Sequence, residues 1–413
     1  MSTHVIAHSS AARSTWTPPL VILGVLAVVV LCCSVGLDLV LLPHDGGLGR
    51  DFSAFYAAGL ALRHGQDPYS WAQIGRIEAH MRSIGDPRQP YAFNAYANPP
   101  LFALLMDLCA PLGDRLAYLL WVIVTGAALL VGSVLLMKSY GVRGRGWAAL
   151  LFLVTPAPII CLFLGQQTPL LLLGLGAALA AVRSDRPVLA GVFLTIGWIK
   201  PHLLFPLALV MVAMLCWGAR RRLLAGFGGA SLVLAALSWL TTGGALLASW
   251  GSTLVLFEQN MDTRQPLLSS LAGLYLSVAG RPWSIYLAVG CVAAWVVCAA
   301  LVVRRTRRTG ARPCDDEWLR LFSFALVAWL LLTPMVHPAD LVLALPALLV
   351  VLGRRLEYLS DTRVRLALCA ILVAPEADLL GFRPNYVMTY SVLVPLALLL
   401  ALRPWQALRE DAR

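Results

Sequence analysis

Uncharged apolar runs of roughly 15 to 25 residues recur along this chain, close to the ~20 residues that a helix needs to cross a ~30 Å hydrocarbon layer. A segment inside lipid must satisfy its own backbone groups, so such runs fold as helices unless they close into a barrel. Nothing in their spacing suggests a barrel. Of the 413 residues, 59% are hydrophobic and only 13% charged, so the length stands for one all-α integral membrane domain over 1–413 and not for several soluble cores.

The pattern predicts about twelve transmembrane helices, near 20–42, 114–137, 147–164, 169–182, 188–200, 203–217, 223–241, 283–303, 319–335, 339–353, 364–380 and 386–402. The first run is too long for a signal-peptide core and reads as an anchor that stays. Lys and Arg outnumber Asp and Glu by 32 to 21, but they gather between the runs, as expected of cytoplasmic loops and not of a nucleic-acid surface. With both termini cytoplasmic, the arginine-rich loops fall inside. Two long loops, 43–113 and 242–282, then fall outside with the short turns at 165–168, 200–202, 335–340 and 381–385. The segment 98–113, short and bounded by prolines, dips into the membrane or lies in its interface.

Most of the polar chemistry therefore collects on one face. In "GLGRDFSAFYAAGLALRHGQDPY" (47–69), Phe52, Phe55, Tyr56, Gly59 and Leu60 recur at helical spacing beside Ser53 and Arg63, the pattern of an amphipathic helix in the interface. Asp51 is placed to be its N-cap, or a carboxylate that accepts a proton from a hydroxyl, and the two roles are compatible. In "TPMVHPADLV" (333–342), His337 and Asp340 lie between two apolar runs, where ionisable groups are costly and point to function; His337 can bind a phosphate oxygen and Asp340 orient it. In "GWIKPHLLFPL" (197–207), Lys200 and His202 make a cationic spot, unless the lysine only snorkels to headgroups. Gln166 and Gln167 in "FLGQQTPLLLL" (163–173) offer amides to sugar hydroxyls, although Thr168 and Pro169 also read as an ordinary helix start. The loop "FEQNMDTRQPLLSSLAGLY" (257–275), with Arg264 and Ser269, is either a cover for a site or a solvated loop.

Nine cysteines are scattered without CxxC or metal-ligand spacing, and no Walker loop, GxGxxG or HExxH occurs, so nucleotide and metal chemistry find no support. No repeat relates the two halves, as it does in many transporters.

Taken in order, "DFSAFYAAGLALRHGQDPY", "YANPPLFALL" (96–105), "GQQTPLLLLGL" (165–175), "IKPHLLFPLALV" (199–210) and "TPMVHPADLVLALPALL" (333–349) resemble glycosyltransferase family 87 over about residues 20–400. These are polyprenyl-phosphate-mannose-dependent mannosyltransferases of the GT-C fold. The resemblance implies a multi-pass enzyme of the bacterial plasma membrane that moves a hexose, mannose in the first instance, from a polyprenyl phosphate to a hydroxyl of a lipid or glycan on the outer face, without a cofactor. It puts Asp51 at the position of the base and His337 at a late-loop histidine. Lys200, His202 and Arg264 would serve the donor phosphate, and Gln166, Gln167 and Asp340 the sugar or acceptor. The rival reading is a transporter or flippase for lipid-linked glycans, which would need ionisable residues deep in several spans; here the deep candidates are few, chiefly Asp38 and Asp107. A non-catalytic membrane partner would have no use for such a cluster.

Overall fold

Prolines open many of the helices and glycines close or bend several of them. In the computed structural model, residues 49–81, 94–142, 152–153, 155–260, 269–271, 274–275, 285–333, 336–353, 370–371, 374 and 390–402 are described, and no strand occurs among them. The helices are α1 (Arg50–Arg63), α2 (Trp71–His80), α3 (Pro100–Asp107), α4 (Gly113–Ser139), α5 (Pro156–Leu164), α6 (Thr168–Arg183), α7 (Pro187–Leu194), α8 (Pro201–Met214), α9 (Trp217–Asn260), α10 (Ile285–Thr309), α11 (Asp316–Leu332), α12 (Leu345–Gly353) and α13 (Leu393–Ala401). Pro100, Pro156, Pro169, Pro187 and Pro201 stand in first turns, where the missing N–H costs nothing. The end of α8 is held by Arg220, whose guanidinium donates to the carbonyls of Val212, Ala213 and Leu215.

Three described helices are long and apolar enough to cross a membrane, within Pro100–Ser139, Trp217–Leu254 and Tyr286–Thr309. In the first of these the crossing part is α4, since Gly113, at φ 74°, breaks the chain after α3. Its 27 residues span about 40 Å at ~1.5 Å each. Other expected crossings are shorter helices: α6 has 16 residues and α8 has 14. The expected crossing at 20–42 lies outside the described residues, as does most of 364–380.

Two expectations are corrected. Residues 242–260 were expected to begin a loop, but α9 runs on through them after a break at Gly243 (φ 77°), and Trp250 beyond the break donates to the Ala97 carbonyl at 3.0 Å. The helix α1 does not lie open with Ser53 toward solvent: Phe52 to Gly59 are all buried, Ser53 among them. Of the two helices in this loop, α2 keeps the amphipathic form, with Ile74 buried and Arg76 and His80 outward.

Two apolar cores result. One is mainly aliphatic, with Trp295, Trp318, Phe322 and Trp329 among its leucines, and fills the bundle of α4–α13. Its helices approach closely at glycines: a Cβ on Gly132 would sit 2.8 Å from the backbone of Leu173, and one on Gly226 2.1 Å from the Val188 carbonyl oxygen. Such contacts bind helices in lipid, where apolar side chains gain nothing by leaving the tails. The other core is aromatic. It joins α1, α2 and α3 to the start of α4 through Phe55, Phe102 and Trp121, whose rings meet edge to face with centroids 5.3–6.2 Å apart. Gly59 lets α1 press on α3, a Cβ there falling 2.5 Å from the Met106 carbonyl carbon.

Candidate active site

The corner between α5 and α6 is where these two cores meet. Gly165 ends α5 in the left-handed region (φ 71°), and its carbonyl accepts from Trp121 Nε1 of α4 at 2.7 Å. Just before it, the Phe163 carbonyl accepts from Gly49 N–H at 2.8 Å and from the Tyr118 hydroxyl at 2.9 Å. The start of α1 is thereby fastened to the corner, and Gln166 faces Asp51.

Asp51 is not the N-cap. That position belongs to Gly49, itself left-handed at φ 72°, so the helix begins two residues earlier than the Asp pattern suggested and the Asp51 side chain is spent elsewhere. Oδ1 accepts from Asn94 Nδ2 at 3.1 Å and Oδ2 from Gln166 Nε2 at 2.5 Å. Two neutral amides aim this partly exposed carboxylate, which also gains from its place in a first helical turn.

From Gln166 the hydrogen bonds run on. Its Oε1 accepts from Lys200 Nζ at 2.8 Å, and the same ammonium donates to Thr168 Oγ1 at 3.2 Å and to Asp340 Oδ1 at 2.8 Å. Thr168 Oγ1 donates in turn to Asp340 Oδ1 at 2.6 Å. Asp340 is 1% exposed and Lys200 13%, so this ion pair is shielded from water and each partner depends on the other. Asp340 Oδ2 accepts from His337 N–H at 3.2 Å, while the His337 ring accepts from the Asp340 N–H. A ring nitrogen that accepts leaves the N–H on the other one, which can donate outward.

Asp51, Gln166, Lys200, Asp340 and His337 therefore form one connected set, drawn from four of the five stretches picked out in the sequence. The others are placed differently. His202 is exposed, one residue along from Pro201, and its carbonyl accepts from Trp329 Nε1 at 2.8 Å. Gln167 is buried, donating Nε2 to Asn98 Oδ1 at 2.6 Å, and its Oε1 has no partner among the described residues. Arg264 lies outside the described residues, although the far end of its loop returns to the site: Ser269 N–H donates to the Val336 carbonyl at 2.6 Å. Among the described residues no three His, Cys, Asp or Glu side chains are grouped so as to hold a metal ion.

Sequence reasoning missed a supporting layer. Glu78 of α2 is fully buried, accepting from Ser53 Oγ and from Asn94 N–H, both at 2.9 Å. Burial pushes its carboxyl up to about 7, against the pull of those hydrogen bonds and of Arg50. The Asn94 backbone is thus fixed by Glu78 while its side chain serves Asp51. The available signal was Ile74 and Glu78, four apart and so on one helix face, within a helix whose other charges point outward. Asn98 was likewise quoted within a motif but given no task; its carbonyl accepts from the buried Tyr69 hydroxyl at 2.8 Å.

A separate hollow of about 730 Å³ lies among Tyr56, Leu60, His64, Arg76, His80 and Arg115. At 100° per residue, Tyr56, Leu60 and His64 stand on the face of α1 turned away from Asp51, so it is not part of this set.

Among known proteins, the family model of glycosyltransferase family 87 matches residues 96–338. No curated protein and no solved structure matches the chain. The matched stretch is shorter than the 20–400 of the sequence resemblance: it takes in Gln166, Lys200, His202, Arg264 and His337, and leaves α1 with Asp51 ahead of it. It still covers more than half of the chain, and the protein belongs to glycosyltransferase family 87.

Proposed function

We propose that this glycosyltransferase moves a hexose, with mannose the first candidate, from a polyprenyl-phosphate donor to a hydroxyl of a lipid or glycan acceptor, with inversion and with Asp51 as the base. The acceptor oxygen bonds to the anomeric carbon as that carbon's bond to the phosphate oxygen breaks; the hydroxyl proton passes to Asp51, and the phosphate leaves with its added charge. The observation that carries the reading is the aiming of Asp51 by the amides of Asn94 and Gln166. A helix cap needs no such arrangement, whereas a base has to be held within reach of one proton.

Within this proposal Gln166 and Asp340 position the base and do not touch the sugar, because their polar atoms already have partners in the protein. Lys200 supplies charge while its three N–H bonds hold Gln166, Thr168 and Asp340. The donor phosphate then falls to the His337 ring N–H, with His202 and Arg264 flanking it. Gln167, with its unpartnered Oε1, is the amide left to receive a sugar hydroxyl.

The same proposal faces the site outward from a plasma membrane. The support is that three helices carry site residues at one end and arginine at the other. Thr168 starts α6 and Arg183 ends it; Lys200 precedes α8 and Arg220 follows it; Arg320 lies near the start of α11 and His337 just past its end. Arginine-rich ends belong on the cytoplasmic side. About twelve crossings with both termini inside complete the arrangement.

The test is sugar transfer by membranes supplied with synthetic polyprenyl-phosphate sugars, wild type beside Asp51→Asn. The substitution is accommodated if the Asn94 carboxamide turns over to present its oxygen. Loss of a base lowers the rate by about 10²–10⁴-fold. Full activity in a normally folded variant removes Asp51 from the role, and failure of every donor with wild type removes the donor class.

A further inference from the structure

At the end of the bundle far from Asp51, α8 and α10 leave between them an open groove of about 660 Å³. Its walls are apolar: Leu209 and Ala213 on α8, Trp295, Val296 and Val303 on α10. Its rim is Arg304, Arg307 and Arg308. Residues 296, 300, 304 and 308 repeat every four, so the apolar wall and the arginines form one continuous stripe of α10.

The arginines of this region fall into two groups. Arg305 donates to Glu317 at 2.9 Å, Arg320 donates to the same carboxylate at 2.8 Å, and Arg220 is taken up by carbonyls. Arg304, Arg307 and Arg308 are exposed and have no ion-pair or hydrogen-bond partner among the described residues. Orientation in the membrane would be served by three arginines anywhere on this loop. It does not explain why these three border one apolar hollow.

We propose that this groove binds an anionic phospholipid, one acyl chain lying between α8 and α10 and the phosphate seated among Arg304, Arg307 and Arg308. The apolar walls cannot choose between lipids, because tail and leucine are equally apolar. Choice comes from charge: guanidinium groups pair with phosphate oxygens, and an anionic headgroup keeps the negative charge that the amine of a zwitterionic one cancels. The groove is not the donor's. Ala213 stands 13 residues along α8 from Lys200, about 20 Å at ~1.5 Å per residue.

Trp295 reports on the occupant. The full chain is reconstituted in phosphatidylcholine vesicles containing a minor fraction of either brominated phosphatidylglycerol or brominated phosphatidylcholine, and the signal of Trp295 is isolated by subtracting that of Trp295→Phe. Brominated phosphatidylglycerol is expected to quench it more strongly at equal mole fraction. Each Arg→Gln change at 304, 307 or 308 is expected to weaken the preference about fivefold, from ~1 kcal/mol per basic residue near an anionic surface. A second variant, Ala213→Phe, fills the groove and leaves the arginines in place; it is expected to lose the excess quenching as well. Equal quenching by the two lipids overturns the proposal. So does an excess that survives Ala213→Phe, which would mean diffuse attraction to a basic surface.

Discussion

Around α1 the chain packs with rings and buried polar groups; around α4, α6 and α9 it packs with leucines and with glycines at the helix contacts. The difference follows from what surrounds each region. Within hydrocarbon, helices associate by close approach, as at Gly132 and Gly226. The unit of α1, α2 and α3 gains from burying aromatic surface and has to satisfy the groups buried with it, as Ser53 and Asn94 satisfy Glu78. The candidate site lies on the seam. Asp51 and Asn94 come from the α1–α3 unit, Gln166, Lys200 and Asp340 from the bundle, and the geometry of the set depends on how the two are docked.

The largest break in that seam is expected from Lys200→Met. It strands the buried Asp340 carboxylate without its cation, at a cost of about 3–5 kcal/mol in stability, read by thermal unfolding in detergent. Replacing both partners, Lys200→Met with Asp340→Leu, should recover most of that stability and none of the transfer activity. Recovery of both would show that the ion pair serves the bundle alone.

Glycine contacts separate the two regions next. Gly59→Ala and Gly226→Ala each force a methyl against backbone and should cost ~1–3 kcal/mol. Specific activity of the folded fraction is expected to fall for Gly59→Ala, because α1 carries Asp51, and to hold for Gly226→Ala. Equal losses in both would contradict a seam.

Acidity gives a third, smaller lever. The Glu78 carboxyl is raised when folded, so the neutral form favours the fold. Its contribution is complete below the unfolded value near 4.5 and is lost as pH rises through about 7. Amide hydrogen exchange in α1 and α2, corrected for intrinsic rates, should show more protection at the acid side of this window. Glu78→Gln should flatten the trend, and an unchanged slope in that variant would place its origin elsewhere.

The smallest effect is the ring contact between Phe55 and Phe102, with centroids 5.3 Å apart. A double-mutant cycle to leucine should return a coupling of ~0.5–1.5 kcal/mol. A coupling of zero would reduce the aromatic core to plain apolar burial.

Much of the fold was legible because its signals are local. The run at 114–137 became α4, and Thr168 with Pro169, which read as a helix start, opens α6. Legibility failed where a residue's state depends on distant chain. Asp51 looked like a cap because Asp commonly caps; Gly49, secured by Phe163, took that place. A loop was expected from 242, whereas Gly243 only turns a helix that then packs on the α1–α3 unit through Trp250. Lys200 with His202 suggested a shared cationic spot, but the ammonium points to Gln166, Thr168 and Asp340, partners 32 to 140 residues away in sequence. Glu78 left almost no mark, since a lone acid on a short helix resembles any surface acid until its partners are known.

The connected set also has a bearing on how the protein is made. Synthesis runs from the N-terminus, and Asp51 is in place long before Gln166, which is itself 174 positions ahead of Asp340. Until residue 340 arrives, the Lys200 ammonium has no buried counter-charge and the Gln166 carboxamide no fixed orientation. A nascent or truncated chain thus carries Asp51 with Asn94 but without a fixed Gln166, and the connected set is complete only when the late histidine and aspartate have been inserted.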